Sequence, residues 1–156
     1  MKFLIHDEAE MLGLGDRLAR SCHDAIVVYL RGPLGAGKTT LVRGFMRGIG
    51  YTGVVKSPTY TLIEPYEVGE MRLYHLDLYR IEAARELAYL GLRELHEGKT
   101  IMLVEWPERG AGFLPPADLI LEIEYAAEGR RLSLIAPTPA GEAVAKALAS
   151  ADFSPS

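Results

Sequence analysis

Cysteine is almost missing from this chain: Cys22 stands alone among 156 residues. No internal disulfide can form, and such a chain fits a reducing compartment. Cys22 itself reads as a small buried hydrophobe near a helix end. Long apolar runs are missing too. None approaches the roughly 20 residues of a membrane span, and the apolar part of Met1-Lys-Phe-Leu-Ile-His-Asp7 is too short for a signal peptide. No block of five or six Lys and Arg occurs, and the formal net charge is −4. That argues against an autonomous nucleic-acid binder, which needs a basic face, but not against a place in a complex whose other chains hold the nucleic acid. His6, His23 and His96 have no metal-ligand spacing with the cysteine, so no zinc site is expected.

What the chain does have is apolar residues, 49% of the total, enough at the length of one ordinary domain to build a core. It also has one telling glycine cluster. Gly32-Pro-Leu-Gly-Ala-Gly-Lys-Thr39 fits G-x-x-x-x-G-K-[ST], the phosphate-binding P-loop. The apolar run Ala25–Leu30 leads into it, and the helix-like segment Thr40–Arg47 follows. Glycines at 32, 35 and 37 let the backbone turn its N–H groups inward around an anion. The helix adds its unpaired first-turn N–H groups and the positive end of its dipole. Lys38 supplies a point charge for the β- and γ-phosphates, and the Thr39 hydroxyl is suited to Mg2+. The expected ATP-binding set is Gly32, Leu34, Gly35, Ala36, Gly37, Lys38, Thr39 and Thr40. A glycine turn with a solvated lysine is the bland alternative, and the strand-before, helix-after context disfavours it.

Asp7 reads as the N-cap of a helix over about 7–22, with Glu10 three residues on; Gly13 and Gly15 weaken it. Glu8, in its first turn, is either part of that acidic start or a contact to the nucleotide's base or sugar. Gly48 and Gly50 stop the helix after the P-loop. Residues 61–67 and 71–79 flank Val68-Gly69-Glu70 as a hairpin, and Pro65 puts its first strand at an edge or bulge. Residues 82–95 read as one or two helical pieces broken near Gly91. Thr100–Glu105 is an apolar run ending in a carboxylate, the form of a buried parallel strand. Residues 110–116 form a loop. A second, half-exposed hairpin covers 118–125 and 131–135, ended by Pro137 and Pro139; a short helix follows over 141–150, and residues from Phe153 on are a frayed tail.

Hydrolysis or transfer needs a carboxylate for the metal ion and a group that places the nucleophile. Ligands of open α/β sheets lie beyond the carboxyl ends of the strands, so Glu105 is the expected Mg2+ contact, direct or through water. Asp77 ends a strand as well. Two readings stand for it: it binds a Mg2+-held water or positions the attacking one, or it is an exposed acid paired with Arg80. His75, two residues earlier on the same strand face, reads as structural. Ser57 and Thr59 lie where many P-loop hydrolases keep a switch that senses the γ-phosphate; the other reading is a turn fixed by Pro58. Trp106 reads as core packing next to Glu105. Neither Asn-Lys-x-Asp nor Asp-x-x-Gly is present, so adenine is favoured over guanine by elimination. A small-molecule kinase would need lid arginines, for which Arg85, Arg93, Arg130 and Arg131 are scattered candidates.

Four blocks occur in order: Gly32–Thr40, Lys56-Ser-Pro-Thr-Tyr-Thr61, His75-Leu-Asp-Leu-Tyr-Arg80 and Val104-Glu-Trp-Pro107. Together they closely resemble the TsaE family, once called YjeE, of small bacterial P-loop ATPases in tRNA threonylcarbamoyladenosine synthesis. The resemblance runs from the Asp7 helix to the Arg131 strand. It implies work with a TsaB–TsaD heterodimer, which modifies the adenosine beside the anticodon in tRNAs reading A-starting codons. ATP hydrolysis, weak without partners, would reset that complex, with tRNA held mainly by the other chains. It also implies Thr39 and Glu105 as Mg2+ ligands, Lys38 and the loop amides on the phosphates, Asp77 in support of hydrolysis, and Glu8 near the nucleotide. The expected fold is α/β: one P-loop NTPase-like domain over residues 1–150, three-layered, with a mainly parallel central sheet, antiparallel hairpin strands and helices on both faces. The alternatives to a cytoplasmic ATPase subunit are a nucleotide-gated binding module without essential hydrolysis and a small-molecule kinase.

Overall fold

The apolar run before the glycine loop and the run that ends in Glu105 become neighbouring parallel strands. The computed structural model describes residues 1–56, 58, 61–95 and 98–150, of Arg93 the backbone only. The expectations for Ser57, Thr59, His96, the Arg93 side chain and the tail lie outside the described residues. The chain runs β1 (Lys2–Ile5), α1 (Glu8–Arg20), β2 (Ile26–Arg31), α2 (Lys38–Gly48), β3 (Ile63–Val68) and β4 (Met71–Asp77). A 3-10 helix (Ala84–Leu90), α3 (Leu92–Leu95), β5 (Thr100–Glu105) and a 3-10 turn (Pro107–Gly110) follow, then β6 (Leu119–Ala126), β7 (Gly129–Ile135) and α4 (Pro139–Ser150).

Among the described residues these strands form one sheet in the order β1-β7-β6-β2-β5-β4-β3. The central strands β6, β2, β5 and β4 are mutually parallel, and antiparallel hairpins close both sides. All six residues of β5 are buried, as a strand covered on both faces requires. Pro65 does lie on the outermost strand, β3, where its missing N–H costs no ladder bond.

The two faces are covered unequally. Met11, Leu14 and Leu18 of α1, at i, i+3 and i+7, pack with Leu41 and Phe45 of α2 and Leu148 of α4 on Val28, Leu30 and Leu103. The other face, Val27, Met102 and Val104, packs with Leu78, Ile81, Leu87, Leu92 and the segment around Trp106. The Asp7 cap is present, its Oδ1 accepting from the Glu10 N–H at 2.8 Å, and Gly91 breaks the middle helices as expected.

Three expectations need correcting. β1 was not foreseen; it exists because Lys2–Ile5 pairs with residues 130–133 of β7. The second hairpin is half exposed as expected, with Leu119, Leu121, Ile123, Leu132 and Leu134 on its buried face, and β6 also pairs with β2 in the central sheet. Pro139 does not end the hairpin but opens α4, where its fixed φ suits the first helical turn. Gly15 and Gly48 are not mere weak points or stops. A Cβ at Gly15 would stand 2.2 Å from the Leu41 carbonyl, one at Gly44 2.1 Å from that of Leu12, and one at Gly48 2.6 Å from that of Asp16. These glycines set the distance between α1 and α2.

Candidate functional site

Because β2, β5 and β4 run parallel and in register, their last residues converge. Leu30 lies opposite Glu105, and Glu105 opposite Asp77. The loop from Gly32 to Gly37 leaves β2 at this edge and turns into α2, with φ of 155° at Gly32, 75° at Gly35 and 110° at Gly37. Gly37 caps α2 in the left-handed region, which a β-carbon would make costly. At Gly32 a Cβ would fall 2.7 Å from the Ile123 carbonyl.

Two cavities flank this loop and share Gly35, Ala36, Gly37 and Thr40. One, of about 390 Å3, also has Lys38, Thr39, Asp77 and Glu105 on its wall; the other, of about 310 Å3, has Asp7, Glu8, Met11 and Arg130. Of the expected residues, Leu34 to Thr40 line the first cavity and Glu8 the second, while Gly32 lines neither. Leu34 is exposed, and Arg80 lines the first cavity.

Lys38 is not exposed: only 4% of it is accessible. Its Nζ donates to the Gly32 carbonyl and lies 3.8 Å from the centre of the Trp106 ring. Burial pushes the ammonium below its ordinary pKa, and Glu105, Asp77 and Glu108 pull it back. Trp106 thus does more than pack the core. Its backbone is left-handed, φ 58°, a strained conformation for a bulky residue, and its ring meets Tyr79 at 5.1 Å.

The Thr39 hydroxyl donates towards Glu105, 3.3 Å from each carboxylate oxygen. Two oxygens side by side on an octahedral Mg2+, each at about 2.1 Å, stand about 3 Å apart, so this pair fits that ion. Among the described residues no group of three or more His, Cys, Asp or Glu converges to hold a metal unaided. An ion here would depend on a ligand's own oxygens. Asp77 is half-buried and accepts from the Tyr79 N–H at 3.1 Å. Burial first, and Glu105 as well, hold its carboxyl above the ordinary carboxylate range, against the Tyr79 N–H, His75 and Lys38. His75 is fully buried, its Nε2 2.6 Å from Glu105 Oε2.

The model of the family described as "Threonylcarbamoyl adenosine biosynthesis protein TsaE" matches residues 5–132. The chain belongs to the TsaE family. A Haemophilus influenzae protein named tRNA threonylcarbamoyladenosine biosynthesis protein TsaE is 45% identical over 148 residues, 92% of this chain and 94% of the relative. A Synechocystis protein of the same name is 42% identical over 113 residues, covering 70% and 71%. The crystal structure of Bacillus subtilis YdiB superposes with a TM-score of 0.82 at 31% identity, covering 96% of this chain and 93% of that one.

Two contacts of this TsaE-family site were not foreseen, although Arg130 stood among the scattered arginine candidates. The Tyr125 hydroxyl donates to the Leu34 carbonyl, and Arg130 Nη2 donates to the Gly35 carbonyl at 3.4 Å while its guanidinium stacks on Tyr125 at 4.5 Å. Both bind backbone carbonyls of the loop. Arg131 instead pairs with Glu124 at 3.9 Å. Cys22 is buried, donates to the Leu18 carbonyl at 3.2 Å, and its thiol is pushed up to about 12 by burial, far from a reactive thiolate.

Proposed function

We propose that this chain binds and hydrolyses ATP as a subunit of the machinery that threonylcarbamoylates tRNA. Its partner on this reading is a TsaB–TsaD heterodimer, which modifies the adenosine beside the anticodon in tRNAs reading A-starting codons. ATP hydrolysis here lets that complex turn over repeatedly; tRNA is met through the complex. The activity is weak without the partners. Residues 1–150 act as one P-loop ATPase domain in the cytoplasm; among the described residues no helix is long and apolar enough to cross a membrane.

The observation that carries the reading is the convergence of Lys38, Thr39, Glu105 and Asp77 on one cavity beside the glycine loop. Phosphates of ATP sit in the larger cavity, held by loop N–H groups and the Lys38 ammonium, which leaves the Gly32 carbonyl for them. Thr39 and Glu105 would hold Mg2+, which when bound would neutralise phosphate charge. Asp77, with one oxygen steadied by Tyr79, orients the attacking water. The base and sugar occupy the smaller cavity, between Glu8, Met11 and Arg130.

The test is phosphate release with and without the TsaB–TsaD pair, measured beside modified adenosine formed over many turnovers. Partner-stimulated release that multiple turnovers require supports the proposal. Repeated turnovers with a non-hydrolysable analogue would sink it in favour of a nucleotide-gated module. Phosphate found on a metabolite would favour a kinase.

A further inference from the structure

His75 has no task in the chemistry above, yet its surroundings are specific. It sits on β4 with none of its side chain accessible, beside a Glu105 side chain that is 3% accessible. Its Nε2 stands 2.6 Å from Glu105 Oε2. Its Nδ1 is buried without a partner among the described residues. A buried N–H with no acceptor costs more than a buried lone pair, so the ring hydrogen belongs on Nε2 and His75 is the donor. Filling the space under β4 would need only an apolar residue. A polar ring placed there, with one nitrogen left unsatisfied, makes sense through the bond it gives Glu105.

That bond decides what Glu105 presents. A glutamate side chain has three rotatable bonds and, on the last residue of β5, open cavity on one side. With Oε2 held by His75, the carboxylate is kept against the Thr39 hydroxyl, which lies 3.3 Å from both oxygens. Polar groups behind a metal ligand commonly fix its orientation in this way.

We propose that His75 is a positioning residue: its Nε2–H locks Glu105 in the orientation that serves the metal ion of the bound nucleotide, and it is not itself a ligand. The inference rests on Glu105 being a Mg2+ ligand, so the experiment tests both separately. His75→Gln carries an amide donor at about the reach of the imidazole Nε2, whereas the shorter amide of His75→Asn cannot reach Oε2. Each variant is compared with the parent and with Glu105→Gln. Thermal melts check folding, ATP affinity is measured by calorimetry in EDTA, and Mn2+ affinity of the ATP complex is measured by electron paramagnetic resonance.

His75→Asn should bind ATP in EDTA within about twofold of the parent but lose about 10- to 100-fold in Mn2+ affinity. His75→Gln should keep the parent's Mn2+ affinity within about threefold. Added to Glu105→Gln, His75→Asn should cause no further loss. Should His75→Asn not fold, His75→Met, apolar and of similar length, takes its place. The proposal is overturned if His75→Asn (or His75→Met in its place) keeps parental Mn2+ affinity, if Gln is as defective as Asn, or if ATP affinity falls equally with and without metal. If the parent holds Mn2+ no better than Glu105→Gln, the metal role of Glu105 fails and this inference with it.

Discussion

The crossing of α1 and α2 gives a sharp energetic prediction, because two glycines a few residues from each other in space have opposite surroundings. Gly13 is helical, and an added Cβ would meet nothing within 4 Å. Gly13→Ala should therefore gain the backbone-entropy term alone, about 0.5–1 kcal/mol. At Gly44 the same methyl would stand 2.1 Å from the Leu12 carbonyl oxygen, where 3.4 Å begins ordinary contact. The neighbour is helix backbone and cannot rotate away, so α2 must move off α1 by about 1 Å. Overpacking on that scale costs about 1–3 kcal/mol or more, which exceeds the propensity gain. For a domain of this size each kcal/mol moves Tm by about 2–4 °C. Gly13→Ala should melt higher than the parent and Gly44→Ala several degrees lower, by calorimetry or circular dichroism. The displaced helix begins at Lys38, so Gly44→Ala should also weaken ATP binding although residue 44 lies about two turns beyond the loop. A Gly44→Ala protein as stable as the parent would refute the close packing of these helices.

Lys38→Ala should cut ATP affinity by about 10- to 100-fold, the worth of a charge-assisted bond, read by calorimetry with Trp106 fluorescence as a second probe. Unchanged affinity would remove the lysine from the phosphate site. For Asp77 the sign follows from its raised pKa. Between the ordinary and the raised value the folded protein binds more protons than the unfolded chain, so stability falls as pH rises through that window, and the deficit persists at neutral pH. Asp77→Asn should raise Tm at pH 7, with the gain shrinking as pH falls from the raised value to the ordinary one; a lower Tm at pH 7 would contradict this. Tyr125→Phe removes one exposed hydrogen bond to the Leu34 carbonyl and should weaken ATP binding about two- to fivefold with little change in Tm, by calorimetry.

The sequence by itself determined whatever rests on local chemistry. Glycine spacing set the phosphate loop, apolar runs set β2 and β5 with nearly their observed limits, and Asp7 and Gly91 marked a helix start and a break. Those signals act within a few residues of themselves and need no partner to be read. Glu105 and Asp77 could be suspected as strand-end acids, but only the β4–β5 register sets them side by side. The tertiary structure alone decided that Lys38 lies buried under Trp106, that Tyr125 and Arg130 hold the loop from outside, and that His75 bonds Glu105. It also decided that Gly15, Gly44 and Gly48 serve helix contact. The reason is common to all of these. Each depends on a partner far along the chain, brought near by strand pairing or helix packing, and a pattern of neighbours in sequence carries no record of that distance.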